Sequence, residues 1–376
     1  MSEARINRIS NEKGDGGPSL SGITTFSGLN YFVPPKGTTA ERPSDCPPGS
    51  IRFNTDSAHL EYFDGLQWLE FEATNDELGV NGALGNRGVF GGGIISPAYV
   101  NTIEYITIST LGNALDFGDL NGGLLTAQGG CASSTRGLFQ GGSTGTATNR
   151  IDYITISSTG NAADFGDLTQ ARFYGAGCSS STRGLCIGGS TPTTVNTIDY
   201  VTIASNGTNA QDFGDLTNVR TNMGACSSTT RAVFAGGYTN IIEFLTTQTL
   251  GNSTDFGDLP YARGYIFACS NATRGLFAGG GNPAPFAAMV NIIDFVTIAT
   301  LGNAQDFGDL TIARRLAGAA ASSTRGVFAG GNNVAPTVYN TIDYVTIMST
   351  GNAIDFGDTL TTLDQTTGLS NGHGGL

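Results

Sequence analysis

The stretch "ARFYGAGCSSSTRGLCIGGSTPTTVNTIDYVTIASNGTNAQDFGD" at residues 171–215 decides the fold. It contains four candidate strands: "ARFYGAGCSS" is small and partly alternating, "TRGLCIGG" is apolar, "TIDYVTIAS" is rich in β-branched and aromatic residues, and "NAQDFGDL" is short. The links contain Ser-Ser, Gly-Gly, Thr-Pro and Asn-Gly, which are turn residues. Because no segment places apolar residues at helical spacing, the stretch predicts a four-stranded β unit.

This unit recurs along the chain. The phrase "DFGD" occurs six times at steps of 43 to 51 residues, and a Gly-Gly pair and a phrase like "IDYVTI" recur in register with it. The "DFGD" copies begin at Asp116, Asp164, Asp212, Asp255, Asp306 and Asp355. Four short strands at a period of about 40–50 residues are typical of a propeller blade. We therefore predict an all-β chain with a six-bladed β-propeller of four-stranded blades over residues 84–376.

The two ends of the repeat region complement each other. The strand "RGVFGG" at residues 87–92 has no proper first strand before it, and "TLTTLDQTTGLSNGHGGL" follows the sixth "DFGD", where a first strand belongs. We expect residues 363–371 to complete the blade that residues 87–119 begin, so that a C-terminal strand closes the first blade and leaves no free edge. The alternative is a frayed tail.

A family resemblance supports this fold. A Gly-Gly doublet, a Tyr-containing strand after it, a later aromatic residue and a late Arg resemble the kelch-type propeller repeat over residues 84–376. Where kelch repeats usually carry Trp, this chain has Phe117, Phe165, Phe213, Phe256, Phe307 and Phe356. The resemblance implies that these rings form an apolar plug between blades.

Each repeat also carries an arginine in the phrase "STR" or its variants. These residues are Arg87, Arg136, Arg183, Arg231, Arg274 and Arg325. We expect them to form structural ion pairs with the "DFGD" aspartates, which fix orientation more than they add net stability. An anion-binding ring and a calcium site are the alternatives, although the interleaved oxygen ligands of a calcium cage are missing. No catalytic residue, metal or cofactor is predicted, and the two histidines, His59 and His373, disfavour a His-based site.

Four cysteines stand five residues before the repeat arginine, at Cys131, Cys178, Cys226 and Cys269, where the sixth repeat has Ala320. Exchange of Cys with Ala indicates a small buried position on the innermost strand. Cys186 replaces a Phe and is predicted to lie in the core, and Cys46 is alone in the N-terminal part. This usage fits assembly in a reducing compartment.

The segments after the Gly-Gly pairs differ among the repeats, and such loops on a rigid scaffold form recognition surfaces. In a four-stranded blade they share one face with the links between blades. Their aromatic residues are the candidate ligand-binding residues: Tyr99, Tyr238, Phe286 and Tyr339. Aromatic side chains anchor protein partners and also stack on sugars. The alternative is that these rings only cover the rim.

The N-terminal eighty residues differ from the repeats. Residues 1–33 are predicted to be an extended arm, and residues 34–80 a small β-rich attachment module with two or three strands and the single Trp68. The phrase "PPGSIRFNTDSAHLEYFDGLQWLEF", preceded by "GTTAERP", resembles a module of tail-fibre and other virion proteins of tailed phages. With the repeat phrases, the chain is similar to structural proteins of phages that infect marine cyanobacteria.

This second resemblance implies a virion protein, assembled in the host cytoplasm, that is not an enzyme. Residues 1–80 would bind other virion proteins, with homo-oligomer formation, and the propeller would display its loops toward a host surface glycan or protein. A purely structural or capsid-decorating role and a carbohydrate-active enzyme are the alternatives. The net charge of −13 disfavours nucleic acid. The sequence has no run of about 18 apolar residues, so membrane insertion is not predicted.

Overall fold

The computed structural model describes residues 34–57, 59–70, 86–95, 98–121, 129–205, 207–282, 288–333 and 337–376. The predicted arm at 1–33 and the predicted boundary at 80–84 lie outside the described residues. The chain divides into two compact units, Met1–Asn75 and Asp76–Leu376. Within the described ranges, no helix has the length and apolar character needed to cross a membrane.

The described part of the first unit is one four-stranded sheet. Its strands are β1 (Lys36–Gly37), β2 (Ile51–Asn54), β3 (His59–Phe63) and β4 (Trp68–Glu70), with a 3₁₀ helix at Thr39–Glu41. The strand β1 runs parallel to β2, and the other neighbours are antiparallel. The prediction of two or three strands missed β1, which has only two residues. Trp68 packs within this unit as predicted, because its ring centroid lies 5.4 Å from that of Phe63.

The interior of this small unit is polar. The Glu61 side chain is fully buried, and its carboxylate accepts from the Arg42 Nη2 at 2.6 Å and from the Asn54 Nδ2 at 3.2 Å. The Arg52 Nε lies 3.4 Å from the same carboxylate. A buried charge needs such partners, since removal of one partner leaves an uncompensated ion.

The second unit contains six four-stranded antiparallel sheets, numbered I to VI. Sheet I begins with β5 (Arg87–Ile95), β6 (Ala98–Thr107) and β7 (Leu115–Asp119). Sheet II contains β8 (Gly129–Ala132), β9 (Arg136–Gln140), β10 (Arg150–Thr155) and β11 (Ala163–Asp167). Sheet III contains β12 (Ala176–Ser179), β13 (Arg183–Ile187), β16 (Thr197–Thr202) and β17 (Gln211–Asp215). Between β13 and β16, the short strands β14 (Ser190–Thr191) and β15 (Thr193–Thr194) form a separate two-stranded ribbon.

Sheet IV contains β18 (Met223–Ser227), β19 (Arg231–Gly236), β20 (Thr239–Thr246) and β21 (Thr254–Arg263). Sheet V contains β22 (Phe267–Ser270), β23 (Arg274–Ala278), β24 (Ile292–Thr297) and β25 (Gln305–Asp309). Sheet VI contains β26 (Gly318–Ala321), β27 (Arg325–Ala329), β28 (Thr341–Thr346) and β29 (Ile354–Asp358). The last strand, β30 (Thr367–Ser370), completes sheet I by pairing with β5.

The architecture is all-β and β-propeller-like. The described residues form seven four-stranded sheets rather than the predicted six, because the N-terminal segment forms a sheet of its own. Each sheet is open. In the second unit the innermost strands β8, β12, β18, β22, β26 and β30 contact one another in that order, and β30 also contacts β8. The predicted pairing of the C-terminal segment with the "RGVFGG" strand is confirmed.

The phrases "GN" and "DFGD" together form a clamp between neighbouring sheets. The Asn161 Oδ1 accepts from the backbone N–H of Asp119 at 3.0 Å, and the Asn113 Oδ1 accepts from that of Asp358 at 3.0 Å. The other four sheet boundaries carry the same bond at 3.0 to 3.1 Å. The phenylalanines of "DFGD" are buried as predicted, and Phe165 packs with Val201 and Ile203 of the next sheet.

The repeat arginines cross to the adjacent sheet, but they do not bind the predicted aspartates. The Arg136 Nη1 donates to the backbone carbonyl of Ile203 at 2.8 Å, and the guanidinium lies 4.7 Å from the Tyr153 ring centroid. All six arginines donate in this way: Arg87, Arg136, Arg183, Arg231, Arg274 and Arg325. The prediction of ion pairs was wrong, because the arginines lie at the start of second strands and the carbonyls at the ends of third strands are within their reach.

The aspartates predicted as partners lie on the outer strands and take part in no ion pair among the described residues. They are Asp116, Asp164, Asp212, Asp255, Asp306 and Asp355, all exposed. The buried ion pairs instead join an arginine that lies a few residues before the first strand to the acid of the third-strand phrase "IDY", "IEF" or "IDF". These pairs are Arg172–Asp199, Arg220–Glu243, Arg263–Asp294 and Arg314–Asp343, with N–O distances of 2.5 to 3.0 Å.

Sheets I and II depart from this arrangement. In sheet I, Leu363 stands where this arginine would be, and the buried Glu104 carboxylate accepts from the backbone N–H of Leu360 at 3.0 Å. In sheet II, Asp152 lies 2.9 Å from the Arg150 Nε on its own strand. Burial raises the pKa of the Glu104 carboxyl and raises that of Asp152 to about 6.

The cysteine predictions are confirmed for the repeats. Cys131, Cys178, Cys226 and Cys269 are buried on the innermost strands, and Cys186 is buried on β13. For Cys131, Cys226 and Cys269 the position is small because a glycine of the next sheet faces it. A Cβ on Gly184, for example, would lie 2.5 Å from the Cys131 Sγ. Burial raises the pKa of these thiols, which keeps them protonated and unreactive.

Candidate functional site

The links that precede five of the six innermost strands each carry a residue in the left-handed backbone conformation. These residues are Tyr174, Asn222, Tyr265, Leu316 and Gln365, with φ between 56° and 59°. Backbone hydrogen bonds join them in order, from the N–H of Asn222 to the carbonyl of Tyr174 at 3.1 Å and from the N–H of Tyr265 to that of Asn222 at 2.9 Å. Bonds of 3.4 Å and 3.1 Å continue the series to Leu316 and Gln365.

A cavity of about 100 Å³ is lined by these five residues and their neighbours, and we call it the mouth. Its lining comes from sheets I, III, IV, V and VI. The lining residues are Tyr174, Gly175, Asn222, Met223, Tyr265, Ile266, Leu316, Ala317, Gln365, Thr366 and Thr367. The mouth is therefore aromatic and polar, with hydroxyl and amide groups from several sheets.

Three tyrosines form an edge-to-face cluster at the mouth. The ring centroids of Tyr174 and Tyr265 lie 6.0 Å apart, and those of Tyr238 and Tyr265 lie 5.5 Å apart. The Tyr174 hydroxyl donates to the Gln365 Oε1 at 3.0 Å. Burial raises the pKa of Tyr174 to about 12 and also raises that of Tyr238, so that both hydroxyls remain protonated donors.

A polar chain supports one side of this cluster. The Arg315 guanidinium lies 4.8 Å from the Tyr265 ring centroid, and its Nε donates to the Asn332 Oδ1 at 2.9 Å. The Asn332 Nδ2 in turn donates to the Asp364 Oδ2 at 2.7 Å. Burial raises the pKa of the Asp364 carboxyl, while this hydrogen bond opposes the shift. These contacts hold the Tyr265 ring in place, and they engage the Arg315 guanidinium with the Tyr265 ring and with Asn332.

The structure brings only part of the predicted aromatic set to the mouth. Tyr238 belongs to the cluster, and its hydroxyl accepts from the Asn222 Nδ2 at 3.1 Å. Tyr99 lies on β6, and it is near enough to Tyr174 to contribute to the raised pKa of that side chain. Tyr339 lies farther out, where its backbone bonds with Gly331 and Leu363. Phe286 lies outside the described residues.

The prediction that the variable loops and the links share one face is confirmed. Isolated β-bridges join Phe173 to Ser190, Gly264 to Gly281, and Arg315 to Asn332.

Tyr174, Asn222, Tyr265 and Gln365 were not among the predicted site residues. Two of them stand in the segments "ARFYG" and "ARGYI", which resemble strand sequence, whereas the strand β12 begins only at Ala176. One signal marked them: each stands two residues after the arginine of the buried ion pair or its Leu363 equivalent, and the residue type changes from repeat to repeat.

The opposite end of the innermost strands is occupied by residues 371–376, which we call the tail. The His373 Nδ1 accepts from the backbone N–H of Gly375 at 3.0 Å, which places the ring proton on Nε2, 2.8 Å from the Ala132 carbonyl oxygen. Burial lowers the pKa of His373. A cavity of about 50 Å³ remains between the tail and the innermost strands. The mouth and the tail therefore lie at opposite ends of the innermost strands.

The side chains at the mouth are aromatic, aliphatic, hydroxyl and amide groups, which can contact and hydrogen-bond a ligand. Among the residues that line it in the described ranges there is no carboxylate, whereas glycoside hydrolysis generally needs two. Within the same ranges, no group of three His, Cys, Asp or Glu residues is arranged to hold a metal ion.

Comparison with known proteins adds no assignment. No protein-family model matches the sequence. A search of curated proteins finds no significant match.

Proposed function

We propose that this chain is a non-enzymatic virion protein of a tailed phage that recognises the host surface through the mouth. In this proposal the six repeat sheets are the blades of a kelch-like propeller, and β30 closes the first blade. Residues 1–80 attach the protein to other virion proteins, and copies of the chain associate. The protein assembles in the host cytoplasm and remains with the particle.

One observation carries the recognition role: bulky side chains occupy left-handed backbone positions around the mouth. Tyr174 and Tyr265 have φ of 56° and 59°. A non-glycine residue in this conformation costs on the order of 1 kcal/mol, and only Gly, Asn or Asp adopts it readily. Stability alone would therefore favour glycine or asparagine at both places, and strain of this kind is typical of binding sites.

The other repeated residues support the proposal, because they have structural roles and leave recognition to the mouth. The arginines of "STR" and the asparagines of "GN" bind backbone groups of neighbouring sheets, and three of the four repeat cysteines face a glycine. The arginine and asparagine contacts occur in every sheet of the second unit, which indicates architecture. The side chains of the mouth differ among the sheets and are the ones available for a partner.

The test is binding of the labelled, full-length protein to a panel of cyanobacterial strains. We expect Tyr265→Asn to abolish binding, because it removes the central ring while Asn222 shows that asparagine fits an equivalent backbone position. The control is Leu301→Ala, at a side chain that is 60% exposed and does not line the mouth.

A purely structural or capsid-decorating role is the second candidate, and the regularity of the rim contacts favours it. Binding to cells that is equal for the wild type and for Tyr265→Asn would overturn the recognition role. It would leave only this structural role.

A further inference from the structure

The mouth contains a buried amide group that is only half satisfied. Asn222 is 8% exposed, and one end of its amide donates to the Tyr238 hydroxyl at 3.1 Å. The other end, Oδ1, is buried and has no hydrogen-bond partner among the described residues. A buried polar atom without a partner costs about 1–3 kcal/mol, so the mouth is incomplete without a hydrogen-bonding ligand or water.

This amide is held in a fixed position. The Asn222 backbone is bonded on both sides, to the Tyr174 carbonyl at 3.1 Å and to the Tyr265 N–H at 2.9 Å. Its side chain therefore extends from a frame whose flanking residues are the two tyrosines that line the cavity. Because the group is already ordered, a ligand that binds it loses little additional conformational entropy.

The charges at the mouth disfavour an ionic ligand. The lining has no formally charged residue in the described ranges, and the nearby Arg315 is engaged by the Tyr265 ring and by Asn332. The whole chain carries a net charge of −13, which repels anions, and the Arg315 guanidinium 4.8 Å from the Tyr265 ring centroid repels a cation at the same ring. The ligand that fits is therefore neutral and rich in hydroxyl groups.

We propose that the mouth binds a neutral hexopyranose unit of a host surface polysaccharide, an inference that rests on the proposed function. A sugar hydroxyl both donates and accepts, so it satisfies the Asn222 amide in either orientation and also bonds with Gln365 or Tyr174. The C–H groups of one sugar face are positively polarised and pack against the negative face of a tyrosine ring. Neutral monosaccharides combine these two features in one small ring.

The experiment is saturation-transfer NMR and calorimetry on the full-length protein with methyl glycosides of glucose, galactose and mannose, and with methyl glucuronide as the anionic comparison. We expect at least one neutral glycoside to bind, and binding of methyl glucuronide to be at least tenfold weaker. Asn222→Gly, which keeps the left-handed backbone, should weaken neutral glycoside binding at least tenfold. The matched control is Asn252→Ala, which removes an asparagine of the rim clamp and should leave glycoside binding unchanged.

The outcomes separate this inference from the proposed function. If no neutral glycoside binds while cell binding still depends on Tyr265, the sugar assignment is overturned and the recognition role stands. Cell binding that is lost after protease treatment of the cells, but not after periodate oxidation of their glycans, would identify a protein partner and likewise overturn the assignment. Equal affinity of the wild type and Asn222→Gly for a bound glycoside would place the sugar elsewhere.

Discussion

At the rim between neighbouring sheets the same contact occurs at every boundary, whereas at the mouth the side chain changes from sheet to sheet. The rim clamp joins an asparagine such as Asn161 to the backbone of the "DFGD" phrase of the preceding sheet, with nearly constant geometry. The mouth carries tyrosine, asparagine, leucine and glutamine at equivalent places. The comparison shows that repeated residues in this chain build the scaffold and that variation between repeats marks the surface available for recognition.

The largest expected effect comes from breaking a repeated buried ion pair. Arg314 and Asp343 are fully buried, with their closest atoms 3.0 Å apart. We expect Arg314→Leu to lower the free energy of unfolding by about 3–5 kcal/mol, because it leaves an uncompensated carboxylate in the interior. Urea unfolding measures this loss, and leucine fits because Leu363 occupies the equivalent place in sheet I.

The control for this prediction is the double variant Arg314→Leu/Asp343→Asn, which removes the charge as well as its partner and should recover much of the lost stability. A loss below about 1 kcal/mol in the single variant would show that the pair is not a scaffold element.

The second effect is a pH dependence of stability that comes from Asp152 of sheet II. Burial raises the pKa of Asp152 to about 6, above the ordinary value of 3.8, so the folded protein binds this proton more tightly than the unfolded chain. The resulting stabilisation is complete below about pH 4 and is lost as the pH rises through about 6. We expect this group to contribute on the order of 2–3 kcal/mol of difference across that window.

Urea unfolding at several pH values between about 4 and 7 tests this prediction. Asp152→Asn should remove its share of the decline, and Asp45→Asn, at an exposed carboxylate of the first unit, should not. Identical pH profiles for the wild type and Asp152→Asn would contradict the prediction.

A smaller effect tests whether every boundary of the second unit is equivalent. Asn113 accepts from Asp358 across the boundary between sheets VI and I, and Asn252 accepts from Asp215 between sheets III and IV. Each bond should contribute about 1 kcal/mol, so Asn113→Ala and Asn252→Ala should lower stability equally. Stability that falls only for Asn252→Ala would show that the boundary beside β30 is open in solution.

The smallest expected change in stability is at the mouth. Tyr265→Asn loses the contacts of its ring with Tyr174 and Tyr238, but it relieves the left-handed strain, and these effects have similar size. We expect the free energy of unfolding to stay within about 0.5 kcal/mol of the wild type while binding to cells is lost. A destabilisation above about 2 kcal/mol would show that Tyr265 belongs to the scaffold instead.

Much of the fold was predictable from the sequence, because its signals are local and repeated. The Gly-Gly pairs, the alternating "IDYVTI" strands and the displaced last unit predicted four-stranded sheets and the pairing of β30 with β5. The partners of the charged residues were not predictable from spacing. Asp199 lies in a strand phrase that looks like ordinary alternation, and Arg172 lies in a link, yet the fold joins them in the interior.

The site was predictable only in part for a related reason. The loop position of Tyr238 marked it as a candidate, because variable segments after Gly-Gly pairs lie at one face. Tyr174 and Tyr265 adopt a positive φ angle, and the conformational preferences of tyrosine would not predict that angle. Their cluster also depends on contacts between sheets III, IV and V, which single-strand patterns do not show.

The pairing of β30 with β5 has a consequence for biosynthesis. Because β30 follows every other described strand along the chain, a ribosome finishes the N-terminal sheet and sheets II to VI before the strand that completes sheet I emerges. Until then the nascent polypeptide carries β5 with an uncovered hydrogen-bonding edge, which is a template for wrong association with other chains. Pairing of β30 with β5 should therefore be a late step in the folding of the second unit.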